Sequence, residues 1–254
     1  MKPLRTLIAV FWLACAGPAA AVGGLADLTV YDRTEGRHLQ VTWHEGRAYV
    51  AGKPGNEYQV GVRNRLREDV LAVISVDGVN VLSGETADPA QGGYVLSPWR
   101  SLNVQGWRKS LSETAAFYFT SLPDSYAART GRPDNVGVIG VALFRKKPEP
   151  QPLSLYAPPA PRARKEAGAD SSSAEVGVRG LALPSQEVIG TGHGRRETSR
   201  VQMVVFERAT LAPAETITIY YDSHRNLVVR GVIREPVPVA PLPRPFPGFV
   251  PDPA

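Results

Sequence analysis

Apolar and polar side chains alternate with a period of two along much of the chain, the pattern of strands with one face in a core and the other in water. Tyr58, Val60 and Val62, for example, stand against Gln59, Gly61 and Arg63. β-Branched and aromatic residues concentrate in residues 24–32, 38–43, 47–52, 57–66, 69–76, 79–84, 115–121 and 135–145, and again in 199–209, 215–223 and 226–233. Each run predicts a strand. Asp77-Gly78 joins two of them and predicts a type I′ hairpin, because both central residues of that turn need positive φ. One short helix is predicted between Asp124 and Thr130. Pro123 and Asp124 suit a first turn, and Gly131 followed by Pro133 stops it. Tyr126 should then face the core and Arg129 solvent. Residues 222–226 read as a turn.

Proline placement sets the organisation. Of 23 prolines, fourteen fall in residues 147–175 and 235–254, where the missing N–H groups prevent a regular ladder. These two segments are expected to be a Pro/Ser-rich flexible linker and a Pro-rich disordered tail with polyproline II character. Three strands beyond a loose linker bury little on their own. Residues 176–234 should therefore complete the β domain begun by 22–146. The expected fold is an all-β, two-sheet antiparallel β-sandwich, jelly-roll-like, with one short helix.

The first 21 residues do not fit this pattern. Lys2 and Arg5 precede an apolar run from Leu7 to Ala16, and Ala19-Ala20-Ala21 supplies small side chains for cleavage. Residues 1–21 are expected to be a signal peptide, since the run is about half the roughly 20 residues that span a bilayer. A periplasmic or secreted bacterial protein follows, with no integral membrane segment after cleavage. The only cysteine, Cys15, leaves with the signal, so the mature chain has no disulfide and its fold rests on apolar burial. A lipidated Cys15 is the minor alternative. The mature balance of 27 basic against 24 acidic side chains, a net of +3, is an ordinary surface and gives no nucleic-acid footprint.

Candidate chemistry is sparse. No GxSxG or GxxxxGK[ST] motif occurs, and His44-Glu45 lacks the second histidine of a zincin helix. His38, His44, His193 and His224 are too scattered to suggest a metal site, and no cofactor is expected. Residues 190–197, GTGHGRRE, read as a glycine-rich loop in which His193, Arg195 and Arg196 could gather round an anion, with a plain flexible connection as the commoner meaning. Trp99 and Trp107, beside Arg100, Arg108 and Lys109, could form a sugar- or polyanion-binding face, although buried indoles are ordinary core material in β proteins. Asp77, Glu85, Asp88 and Asp124 are the carboxylates nearest to an acid/base pair, with no spacing that selects two of them.

The segments VISVDGVNVLSGETADPAQGGYVLSPWRSLNVQGWRKS, SYAARTGRPDNVGVIGVALF, GTGHGRRE and TITIYYDS resemble those of an uncharacterised family of exported proteobacterial proteins. The resemblance implies a bacterial, periplasmic setting and brings no activity, catalytic residue or ligand. The expected function is that of a non-enzymatic exported β-sandwich that binds or organises a cell-envelope glycan, another envelope component or a protein partner. The alternative is an envelope-directed hydrolase or carbohydrate-active enzyme with a loop-built site.

Overall fold

The computed structural model describes residues 21–148 and 188–234. The predicted signal, linker and tail lie outside these residues, apart from Ala21, Lys147 and Pro148. The strands are, in chain order, β1 (Ala26–Asp32), β2 (Arg37–His38), β3 (Thr42–His44), β4 (Arg47–Gly52), β5 (Glu57–Asn64), β6 (Val70–Val76) and β7 (Val79–Asn80). There follow β8 (Tyr94–Leu96), β9 (Ser101–Val104), β10 (Gly106–Arg108), β11 (Glu113–Ser121), β12 (Val138–Arg145), β13 (Ile189–Thr198) and β14 (Glu215–Ser223). Two short helices, α1 (Tyr126–Arg129) and α2 (His224–Val229), follow β11 and β14.

These strands form the two sheets of a β-sandwich. The first runs β10-β11-β5-β1-β2, with β13 also on β11 and β9 also on β5; the second runs β3-β4-β14-β12-β6-β7, with β8 also on β6. Pairing is antiparallel, as expected, except between β14 and β4, which run parallel. β13 joins the first sheet and β14 sits inside the second. The C-terminal strands are thus divided between the two layers.

Alternation explains the layering. β1 has its even-numbered residues buried, among them Leu28 and Val30, and these meet Tyr58, Phe117, Phe119 and Ile219 in the main core between the sheets. β6 departs from alternation and buries nearly every residue, because its outer face is covered as well. There Leu71, Val73, Ala142 and Phe144 form a second apolar cluster under Phe206. A third cluster, Tyr49 with Leu227 and Val232, lies under α2. The Asp77-Gly78 hairpin is present, with φ of 53° and 70° and Val76 opposite Val79.

Four local readings change. Residues 38–43 make no single strand but divide into the end of β2 and the start of β3. Residues 199–209 form no strand despite their β-branched composition: they cross from the start of β11 to the end of β12 as an extended strap. Val201 N donates to Leu111 O at one end, and Lys147 N to Glu207 O at the other. Residues 226–233 contain helix where a strand was expected. Ser223 caps α2 by accepting from Asn226 N, and Gly231 ends it at φ 72°, so capping outweighs the β-branched residues. The helix expected between Asp124 and Thr130 is present as Tyr126–Arg129, with Ser125 as its N-cap, so Pro123 and Asp124 precede it and are not in its first turn. No helix among the described residues is long and apolar enough to cross a membrane.

Candidate functional site

Residues 190–197 form most of a strand, not a loop. β13 pairs with β11 from Ile189↔Ser121 to Thr198↔Glu113, so the segment expected to turn as a loop runs extended against a neighbouring strand. The glycines serve packing instead. A Cβ on Gly192 would lie 2.2 Å from Cζ of Tyr118, and one on Gly190 would lie 2.6 Å from Cβ of Ser125, the cap of α1. Absent side chains thus let an aromatic ring and a helix settle on the strand.

The three polar candidates on β13 separate. Arg195 donates bidentately to Glu57, at 2.8 and 3.0 Å, and pairs with Glu197 at 2.7 Å. Glu197 accepts in turn from both terminal nitrogens of Arg33 at 2.9 Å. Hydrogen bonding to Arg195 is the main cause that holds the Glu57 carboxyl below its ordinary value, against opposing burial. Arg195 is therefore occupied by its own carboxylates. Glu197→Gln should lower the melting temperature by about 2 °C at low salt and by less in about 1 M salt, as thermal unfolding followed by circular dichroism would show.

His193 faces elsewhere, its ring 5.5 Å from that of Tyr126. Burial depresses its pKa, with further lowering from the charges of Lys109, Arg129 and Arg196. A basic rim therefore surrounds this histidine, with Arg196 held 3.8 Å from Glu113. Arg129 belongs to that rim and is exposed, as the helix reading expected.

The tryptophans do not share a face. Trp99 is 53% exposed at φ 61°, whereas Trp107 is 2% exposed and packs edge-on against Phe117 with centroids 5.0 Å apart. The carboxylates are likewise separate. Glu85 accepts from Gln91, Asp88 from Ala90 N and Asp124 from Ser121. Asp77 is fully buried and accepts from Gly137 N at 3.0 Å, Thr191 N at 2.7 Å and Tyr221 Oη at 2.5 Å. Thr191 Oγ1 extends the chain to Tyr58 Oη at 2.6 Å, so the network links both sheets.

A large concavity lies under the strap. It is a groove of about 930 Å³ between β8, the loop before it, the β9–β10 region and residues 201–208. Leu71, Val95, Leu102 and Phe206 give it apolar walls, while Arg108, Lys109 and Arg208 supply its charges. Met203 and Val204 of the strap also line it, and Met203 and Val205 are 87% and 99% exposed. Two of the candidate residues, Arg108 and Lys109, therefore belong to one concavity. Arg208 and the strap were missed because a run such as VVF reads as a buried strand; the arginine following Glu207 was the available clue. A smaller concavity of about 390 Å³ contains Trp43, 57% exposed, beside Tyr220. It too was missed, although the Glu45-Gly46 turn, with φ of 49° and 74°, was readable as a hairpin tip that presents its neighbours. Comparison of the chain with protein-family models, with curated proteins and with solved structures finds no match.

Proposed function

We propose that the protein is an exported, non-catalytic β-sandwich that binds a component of the cell envelope, and that the strap-roofed groove is its binding site. The carrying observation is the groove itself: a concavity of about 930 Å³, walled by apolar side chains and provided with a few cationic groups. That combination of apolar lining and few polar groups is usual for ligand sites, which commonly measure about 300–1,000 Å³. The strap adds to it. Its apolar side chains stay in water although Phe206, in the same segment, is packed onto the second sheet.

A loop-built hydrolase would need His193, Arg195 and a carboxylate in one concavity. Arg195 is instead held on the sheet by Glu57 and Glu197, and neither it nor His193 lines the groove or the Trp43 concavity. Binding is therefore the preferred reading.

Calorimetric titration with alkyl maltosides of increasing chain length, each below its micelle concentration, tests it. Affinity should rise about two- to fourfold for each added methylene, because each carries up to roughly 0.8 kcal/mol of transfer free energy into the groove. Phe206→Ser, which removes an apolar wall, should flatten that dependence. Affinity independent of chain length in the unaltered protein would remove the groove as an apolar binding site.

A further inference from the structure

We infer that the groove selects an amphiphile with an anionic head group: an alkyl chain ending in a phosphate or carboxylate. This deepens the proposed function and rests on the groove being the binding site. The inference comes from the charges that line it. Arg108 donates to Tyr94 Oη, to Ser110 O and to Ser199 O and Oγ. Arg208 donates to the carbonyls of Pro89, Ala90 and Gln91, and its guanidinium lies 4.0 Å from the centre of the Phe144 ring. All these partners are neutral oxygens or a ring face. The hydrogen-bonding groups are satisfied, but the charges are not neutralised.

Lys109 goes further, since its Nζ has neither a hydrogen bond nor an ion pair among the described residues. No Asp or Glu among the described residues lines the groove. Among the described residues, three cations thus border an apolar concavity without a counterion in its lining. Arg108 and Arg208 are half-buried while Lys109 is exposed beside them; a partly desolvated positive charge is costly unless an anion joins it, and a guanidinium, being weakly hydrated, suits an oxyanion at such a place.

The apolar portion sets the other half of the ligand. Leu71, Val95 and Leu102 form one side, and Leu111, Met203 and Phe206 come from the segments at and under the strap. A small inorganic anion would leave these walls in water, and a neutral alkyl chain would leave the cations unmatched. One molecule that carries both chemistries matches both.

The experiment compares four probes on the purified protein by calorimetry, with each amphiphile below its micelle concentration: dodecyl phosphate, dodecyl maltoside, dodecyltrimethylammonium and inorganic phosphate. Dodecyl phosphate should bind about tenfold more tightly than dodecyl maltoside, and the ammonium most weakly of the three. Inorganic phosphate should bind at least about 100-fold more weakly than dodecyl phosphate. Lys109→Gln should narrow the phosphate-to-maltoside ratio by about fivefold, and added salt should narrow it in the unaltered protein. Equal binding of phosphate and maltoside heads would overturn the charge selection while leaving the groove as an apolar site. Inorganic phosphate as strong as dodecyl phosphate would overturn the amphiphile. Binding of none of the amphiphiles, together with a sedimenting dimer that Val205→Asp dissociates, would assign the face to a second copy and remove both proposals.

Discussion

Replacing Asp77 with alanine is expected to lower the melting temperature by about 10 °C, the result of losing about 3–5 kcal/mol of stability. The carboxylate is buried between the sheets and accepts from Gly137 N, Thr191 N and Tyr221 Oη. Alanine leaves these three donors in a dry interior without their acceptor, at about 1–3 kcal/mol for each unsatisfied group. It also places a Cβ residue without a polar side chain at φ 53°, a conformation that asparagine and aspartate tolerate better. Relief of the buried carboxylate offsets part of this cost. Asp77→Asn, which retains one acceptor oxygen and suits the turn, should therefore lie closer to the unaltered protein at pH 7. A loss as small as that of a surface substitution, about 0.5 kcal/mol, would show that the network does not hold the sheets together.

The same residue gives stability a pH dependence of definite sign. Burial is the largest influence and pushes the Asp77 carboxyl up from 3.8 to about 6, against the opposing hydrogen bonds from Tyr221, Thr191 and Gly137. The folded state thus binds this proton more tightly than the unfolded chain. The favourable contribution is complete below pH of about 4, is lost as pH rises to about 6, and amounts to about 3 kcal/mol. Glu57 acts in the opposite direction at lower pH, because its carboxyl is depressed and the stability it lends is lost on acidification. The informative quantity is consequently the difference between the unaltered protein and Asp77→Asn. It should change across pH 4–6 and be flat above. Chemical denaturation at fixed pH values measures it directly.

Asp77 also marks where sequence reasoning succeeds and where it stops. Asp-Gly between two apolar runs specifies a local turn, and the hairpin is present because its chemistry lies within four residues. The partners of the carboxylate are Gly137, Thr191 and Tyr221, 60, 114 and 144 positions away, and no local pattern could have indicated them. A carboxylate that looked fully explained by its turn is also the hub of a network across the sandwich. The segment 190–197 shows the converse. Its glycines are turn-like in composition, yet pairing with β11 and the ring of Tyr118 over Gly192 decide its conformation from outside. Residues 199–209 have strand composition and no ladder to join. Their place as a strap depends on Phe206 reaching the outer face of β6 and β12. The groove was accordingly legible only in fragments, as Arg108 and Lys109, while its roof and its third cation lay in a segment assigned to a buried strand.

Trp107→Ala should likewise cost about 3–5 kcal/mol, or about 10 °C in melting temperature, whereas Trp107→Phe should stay within about 1 kcal/mol of the unaltered protein. The indole fills the core between Phe117 and Tyr126, so truncation to alanine leaves a cavity. Its N–H, however, is buried without an acceptor, an arrangement that itself costs about 1–3 kcal/mol. Phenylalanine keeps much of the edge contact and removes the unsatisfied donor, so a smaller ring and a relieved polar group nearly offset each other. Thermal unfolding of the two variants separates a core role from a ligand-stacking one. A binding tryptophan would show nearly unchanged melting and lost affinity in both variants. The core role has a further consequence, because Trp107 immediately precedes Arg108 and Lys109 on and beyond β10. If the indole acts by anchoring that strand, Trp107→Phe should retain the preference of the groove for dodecyl phosphate over dodecyl maltoside, and Trp107→Ala should weaken it together with the fold.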